Sequence, residues 1–181
     1  IVEVAERLQD VGIEAISIHG RTRKQMYKGE ADWDLIREVK NNPRMRIPVF
    51  GNGDITSPEK AVEYRDKYNV DGVMIGRASI GYPWIFNEIK HFIKTSEHLP
   101  LPTLKQRVEA AKEHLRMSVE WKNEILAINE MKRHYSNYFK GIPDFKDYRT
   151  RLVTSMDLRE IYQTLDEISD KFDGVYQTMK V

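Results

Sequence analysis

The sequence predicts an α/β fold over residues 1–96, built from parallel βαβ units, followed by an all-helical region over 103–181. Two observations carry this. Up to residue 96, helices with one apolar face alternate with short apolar runs that end in Gly or a polar residue, as in strands joined by helical crossovers. From residue 103 such runs disappear and apolar residues recur only at helical intervals.

Val2, Ala5 and Leu8 form the first helical stripe, which Gly12 ends. Ala15-Ile16-Ser17-Ile18-His19 reads as a strand. Asp32 is the expected N-cap of a helix burying Trp33, Ile36 and Val39, and Asn41-Asn42-Pro43 stops it. Ile47-Pro48-Val49-Phe50 is the second strand and runs into Gly51-Asn52-Gly53-Asp54. Ser57-Pro58-Glu59 starts the next helix, hydroxyl first and Pro in the first turn, with Ala61, Val62, Tyr64 and Tyr68 as its apolar positions. Gly72-Val73-Met74-Ile75-Gly76 is the third strand, short and apolar as a strand covered on both faces should be.

Pro83 opens a helix through Ile85, Phe86, Ile89 and Phe92, and Glu97 to Pro102 reads as a linker. Thr103 and Gln106 have the spacing of a capping box, followed by Leu104, Val108, Ala111, Leu115 and Val119 on one stripe. Ile125, Ile128, Met131, Tyr135 and Tyr138 define a second helix, ending at Lys140-Gly141. Asp157 and Glu160 bracket the start of a last one through Ile161, Leu165 and Ile168.

Composition narrows the functional classes. No apolar run approaches the ~20 residues needed to span a bilayer, so no membrane partner is expected. Without Cys there are no disulfides, thiolate metal sites or cysteine nucleophile, and a cytoplasmic setting is compatible. His91, His98 and His114 show no ligand spacing; they are expected at the surface, with no metal site. The chain starts without Met inside a helical stretch and is expected to be a fragment. Its net charge of +1 averages opposed segments. Lys132, Arg133, Lys140, Lys146, Arg149 and Arg151 outweigh Asp144 and Asp147, whereas acids prevail from Asp157 to Asp173.

Candidate binding residues lie where strands feed their helices. Asn52-Gly53-Asp54 follows the second strand and Gly76-Arg77 the third. Small residues there let backbone N–H groups approach an anion, and Arg77 adds a charged donor. Either turn alone is equally an ordinary tight turn; two on consecutive strands favour an anion site. His19, at the end of the first strand, is by itself a structural hydrogen-bonder or a donor to a ligand. Arg21, Arg23, Lys24 and Lys28, with Tyr27, make the following loop basic: a solvated loop or a contact for RNA phosphates. Arg133, Asn137 and Lys140 share a helix face beside Lys132, a solvated face or an RNA contact.

Together, His19-Gly20-Arg21-Thr22-Arg23, Tyr27-Lys28-Gly29-Glu30-Ala31-Asp32-Trp33, Ile47-Pro48-Val49, Asn52-Gly53-Asp54-Ile55 and Val73-Met74-Ile75-Gly76-Arg77-Ala78 resemble the tRNA-dihydrouridine synthases. Asn129-Glu130-Met131-Lys132-Arg133-His134 and Tyr138-Phe139-Lys140-Gly141 resemble that family's C-terminal tRNA-binding domain, above all in its bacterial B-type branch. The resemblance implies the C-terminal three βα units, strands six to eight, of a TIM (β/α)₈ barrel, followed by a helical tRNA-binding domain. It implies FMN held by His19, Asn52, Gly53, Asp54, Gly76 and Arg77, NADPH as reductant and tRNA uridine as substrate. RNA contacts then fall to Arg21, Arg23, Lys24, Lys132, Arg133 and Lys140, with the target base turned out of its stack.

The family's acid is a cysteine, with a lysine at the end of the fifth strand. Neither role can be given to a residue of this chain, so no catalytic residue is assigned and the chain alone is expected to be inactive. Ile16, Ile18, Val49, Val73 and Ile75 are expected to point into the barrel, and its open edges to drive self-association or pairing with the missing half. Alternatives are another FMN barrel, such as a dihydroorotate dehydrogenase or old-yellow-enzyme relative, an RNA-binding helical module on an α/β scaffold, and a protein–protein scaffold.

Overall fold

The computed structural model describes residues 1–172, which divide into two compact units. One comprises Ile1–Ser79 and Trp84–Leu99; the other comprises Ile80–Pro83 and the residues from Pro100.

The first unit runs α1 (Val2–Asp10), β1 (Ile16–His19), α2 (Asp34–Asn41), β2 (Val49–Asn52), α3 (Pro58–Lys67), β3 (Gly72–Met74), a 3-10 turn (Arg77–Ser79) and α4 (Ile85–Thr95). Its strands form one parallel sheet in the order β1-β2-β3. Ile16 pairs with Val49, His19 with Asn52 and Asn52 with Met74, so the strands finish level.

Boundaries shift where backbone donors run out. β2 starts at Val49, because Pro48 has no N–H to give, although its carbonyl accepts from Ile16 N at 3.0 Å. The N-cap of α2 is Trp33 and not Asp32. Asp32 instead donates its N–H to Gly20 O at 2.6 Å and accepts Asp34 N at 3.0 Å, which steers the chain into the helix. α3 starts as expected, with Ser57 Oγ accepting Lys60 N at 3.3 Å. α4 starts at Ile85, two residues after Pro83.

Residues opposite one another in a parallel pair share a face, and faces alternate along a strand. Ile16, Ile18, Val49, Gly51 and Val73 therefore share one face, and helices cover it: Val49 is 0% and Ile18 8% exposed, with Trp33, Ile36, Val39 and Ala61 packed into the same core. This corrects the expectation that Ile16, Ile18, Val49 and Val73 point away from the helices; Ile75 lies beyond β3. Their apolarity serves the helix layer. The opposite face carries Ser17, His19, Phe50, Asn52 and Met74, and Met74 is 50% exposed, so β3 is not covered on both sides. In α1 the expected stripe buries only Ala5 fully, while Leu8 stays 40% exposed.

In the second unit, α5 (Leu104–Trp121), α6 (Glu124–Tyr138), α7 (Lys146–Thr154) and α8 (Leu158–Phe172) surround a core that includes Val108, Leu115, Ile128, Met131, Leu152 and Leu165. The Thr103–Gln106 capping box is formed in both directions. α8 starts where Ser155 Oγ accepts Asp157 N at 3.1 Å and donates to Glu160 at 2.6 Å. α7 was not expected from its charged sequence; it buries only Leu152. Arg151 of α7 pairs with Glu167 of α8 at 2.5 Å, so part of the basic segment is neutralised by the acidic one. Ile125 is 65% exposed, off the packed stripe. Ile80–Pro83 belongs here because Gly81, at φ 66°, lies against α6: a Cβ would come within 2.5 Å of His134 O.

Of the three histidines expected at the surface only His98 is exposed; His91 is half-buried, and so is His114. Its ring meets His134 edge to face at 4.6 Å, and its Nδ1 lies 3.3 Å from Tyr138 Oη. Burial, then the charges of Arg133 and Lys122, lower the His114 pKa. His134 is pushed down to about 4 by burial, then by His114 and Arg133.

Candidate anion site at the strand ends

The level ends of β1, β2 and β3 bring together residues far apart in sequence. His19, Asn52 and Met74 stand side by side on the face away from the helices. Gly20 N donates to the Asn52 carbonyl at 2.9 Å, and His19 Nδ1 lies 3.1 Å from the same oxygen. A carbonyl only accepts, so Nδ1 carries the proton and Nε2 of the neutral ring is an acceptor. Donation from Nε2 to an anion therefore requires the imidazolium, which refines the role expected of His19.

The β2–α3 turn is built on two left-handed residues, Gly53 at φ 135° and Asp54 at φ 58°. A side chain at Gly53 is barred by space as well as by φ, since its Cβ would sit 2.5 Å from Ala31 Cβ. Trp33 Nε1 donates to Gly53 O at 3.0 Å and ties the turn to the core. Packing is closest below it, where a Cβ on Gly51 would fall 2.0 Å from Trp33 Cζ3.

Asp54 joins three loops. Its Oδ2 accepts Arg21 Nη2 at 2.7 Å and Ala31 N at 2.8 Å, and its Oδ1 accepts Arg77 Nη2 at 2.9 Å. The Arg21 hydrogen bond, opposed by burial and aided by the Ala31 N–H and the charges of both arginines, holds its carboxyl below the ordinary range. Arg77 lies 4.5 Å over the Tyr27 ring and keeps 53% of its side chain exposed. Beside it Gly76 is open: a Cβ there would meet nothing within 4 Å. The turns after β2 and β3 thus converge at one end of the sheet, through the Arg77–Asp54 pair.

The basic loop divides. Arg21, placed by sequence among the RNA contacts, has 3% of its side chain exposed and holds Gly29 O at 2.5 Å as well as Asp54. That carboxylate draws it inward, and its Nε and Nη1 are buried without a hydrogen-bond partner among the described residues. Arg23 and Lys24 are exposed. In the other unit Arg133 and Lys140 are exposed, whereas Lys132 is half-buried, its Nζ on Asn129 Oδ1 at 2.9 Å. The bracing roles of Trp33 and Ala31 and the place of Ser17 and Met74 were missed. Period-two counting back from His19 gives Ser17; nothing in the sequence announces the backbone bond at Ala31.

Parallel α/β sheets with glycine-lined, basic loops at the strand ends form a class in which that rim takes up phosphate-bearing ligands. The sequence model described as "Dihydrouridine synthase (Dus)" matches residues 1–173, and the chain belongs to that family. It is 41% identical over 150 residues to tRNA-dihydrouridine synthase B of Pseudomonas putida, covering 83% of this chain and 44% of the relative. It is 40% identical over 167 residues to probable tRNA-dihydrouridine synthase 1 of Synechocystis, covering 92% and 46%. To tRNA-dihydrouridine synthase B of Proteus vulgaris it is 36% identical over 171 residues, covering 94% and 52%. The chain thus spans about half the length of these curated relatives. Among the described residues, no helix is long and apolar enough to cross a membrane.

Proposed function

We propose that this chain is part of a tRNA-dihydrouridine synthase that binds FMN at its strand-end rim, takes reducing equivalents from NADPH and reduces uridine in tRNA to 5,6-dihydrouridine. The observation carrying this is the meeting of Arg77 and Asp54 at 2.9 Å, which gathers the glycine turns after β2 and β3 beside His19. β1, β2 and β3 are read as strands six to eight of a (β/α)₈ barrel, and the helical unit as its tRNA-binding domain.

The residues present fit a flavin phosphate. Gly76 is uncrowded, Gly53 holds a backbone conformation that leaves its turn compact, and Arg77 is half-exposed beside both. Gly53, Gly76 and Arg77 would hold the phosphate, with His19 and Asn52 towards the ring. Bound flavin supplies the hydride. His19 accepts at Nε2 while neutral, Asn52 offers an amide, and exposed Arg23, Lys24, Arg133 and Lys140, with Lys132, attract RNA phosphates. With no Cys to serve as acid, these 181 residues bind and position but do not turn over alone. Their outer strands β1 and β3 offer free backbone edges for self-association, which sedimentation giving only monomer would exclude.

Deleting the gene that encodes this chain and assaying dihydrouridine in total tRNA tests the function. Loss of a dihydrouridine, restored by the gene, is expected; unchanged content refutes it.

A further inference from the structure

Family resemblance places Asp54 among the cofactor contacts, yet a carboxylate repels a phosphate. The structure points to another role. Both Asp54 oxygens are taken by protein donors: Arg21 and Ala31 of the β1–α2 loop on one, Arg77 of the turn after β3 on the other. Those donors fix three loops to one atom group, since Asp54 itself belongs to the β2–α3 turn. Arg77 is held from two sides, by this carboxylate and by the Tyr27 ring at 4.5 Å, and Tyr27 sits on the loop that Arg21 anchors through Gly29 O.

We propose that Asp54 is a positioning residue, which latches the three rim loops together and sets the direction of the Arg77 guanidinium without touching the bound anion. The latch stands on the geometry above; its consequence for ligand affinity rests on the flavin-phosphate assignment of the preceding section.

A repelling contact and a positioning latch give opposite signs. Asp54→Asn keeps the side chain's shape and removes its charge. If Asp54 merely lined the anion site, losing the charge would tighten FMN binding. If it positions Arg77, affinity falls, on the order of tenfold for one misdirected charge-assisted hydrogen bond.

The test uses the full chain, with FMN titrated by fluorescence quenching into wild type, Asp54→Asn, Arg77→Ala and the double variant, alongside hydrogen exchange of residues 21–31 and 75–79. Asp54→Asn is expected to weaken FMN binding about tenfold when Arg77 is present and to have no further effect in the Arg77→Ala background. Exchange should quicken in both segments and not in the helices. Tighter or unchanged FMN binding overturns the proposal, as does equal weakening in both backgrounds, which would mean that Asp54 acts through the fold as a whole. Unchanged exchange in the two segments overturns the latch itself. Should wild type take up no FMN, the phosphate assignment falls and the latch is judged by exchange alone.

Discussion

Replacing Gly51 by Ala adds one methyl group where the structure has no room for it. The new Cβ would lie 2.0, 2.5 and 2.8 Å from Cζ3, Cη2 and Cε3 of Trp33. Neither partner can yield easily. Gly51 is in the central strand, paired to Ile18 and Val73, and Trp33 is 1% exposed with Tyr64 and Tyr68 at 5.0 and 5.5 Å. Overpacking of this kind costs about 1–3 kcal/mol. Displacing the indole also breaks its bond to Gly53 O, about 1 kcal/mol more. Ala is better than Gly in a strand interior by about 0.5–1 kcal/mol, which offsets part of the sum. The net destabilisation is about 1–3.5 kcal/mol, equivalent to a Tm about 4–28 °C lower for a unit of this size. Thermal unfolding followed by circular dichroism measures it. Gly76→Ala, which meets no atom within 4 Å, is the matched control and should stay within about 0.5 kcal/mol of wild type. A Gly51→Ala chain as stable as the control would refute the packing argument.

The His114–His134 pair makes the helical unit acid-sensitive. His134 falls from its ordinary 6.5 to about 4 in the folded chain, so the unfolded chain takes up its proton first and stability drops as pH falls from 6.5 through 4. The full linkage of about 3 kcal/mol is discounted to about 1–2 kcal/mol because the ring is only half-buried. Urea unfolding at pH 7 and pH 4 should show most of that loss in wild type and a smaller one in His134→Gln; equal losses would clear the ring. Thr103→Ala removes the acceptor for Gln106 N and should cost about 1 kcal/mol in the same assay. For tRNA binding, Arg133→Ala and Lys140→Ala should each lower the salt slope by about 1. Arg21→Ala should instead lower thermal stability, because its guanidinium is buried on Asp54; loss of slope without loss of Tm would contradict that.

How much the sequence revealed depends on the kind of signal. Helix caps are local, and Thr103–Gln106 and Ser57-Pro58 could be read directly. Parallel strands whose glycine turns lie at one side followed from alternation of elements, whereas their order side by side came only with the resemblance to a barrel. Sidedness did not follow: hydrophobicity put Ile18 and Val49 in a barrel interior, whereas helix cover needs apolar residues too. α7 was hidden because nearly all of it is polar or exposed and only Leu152 is buried. Arg21 looked like Arg23 in the sequence, and what separates them is an acid 33 positions away, Asp54. Trp33 read as core, and its second task of holding Gly53 O depends on the crossing of two loops.

The central claim is that the rim formed by Gly53, Gly76 and Arg77 holds the phosphate of a flavin. Comparing the Kd of FMN with that of riboflavin, the same ring system without phosphate, tests it most directly on this chain. FMN is expected to bind at least about tenfold more tightly, with the difference reduced by Arg77→Ala. Equal affinity for the two flavins, or a preference for FMN untouched by loss of Arg77, would contradict it.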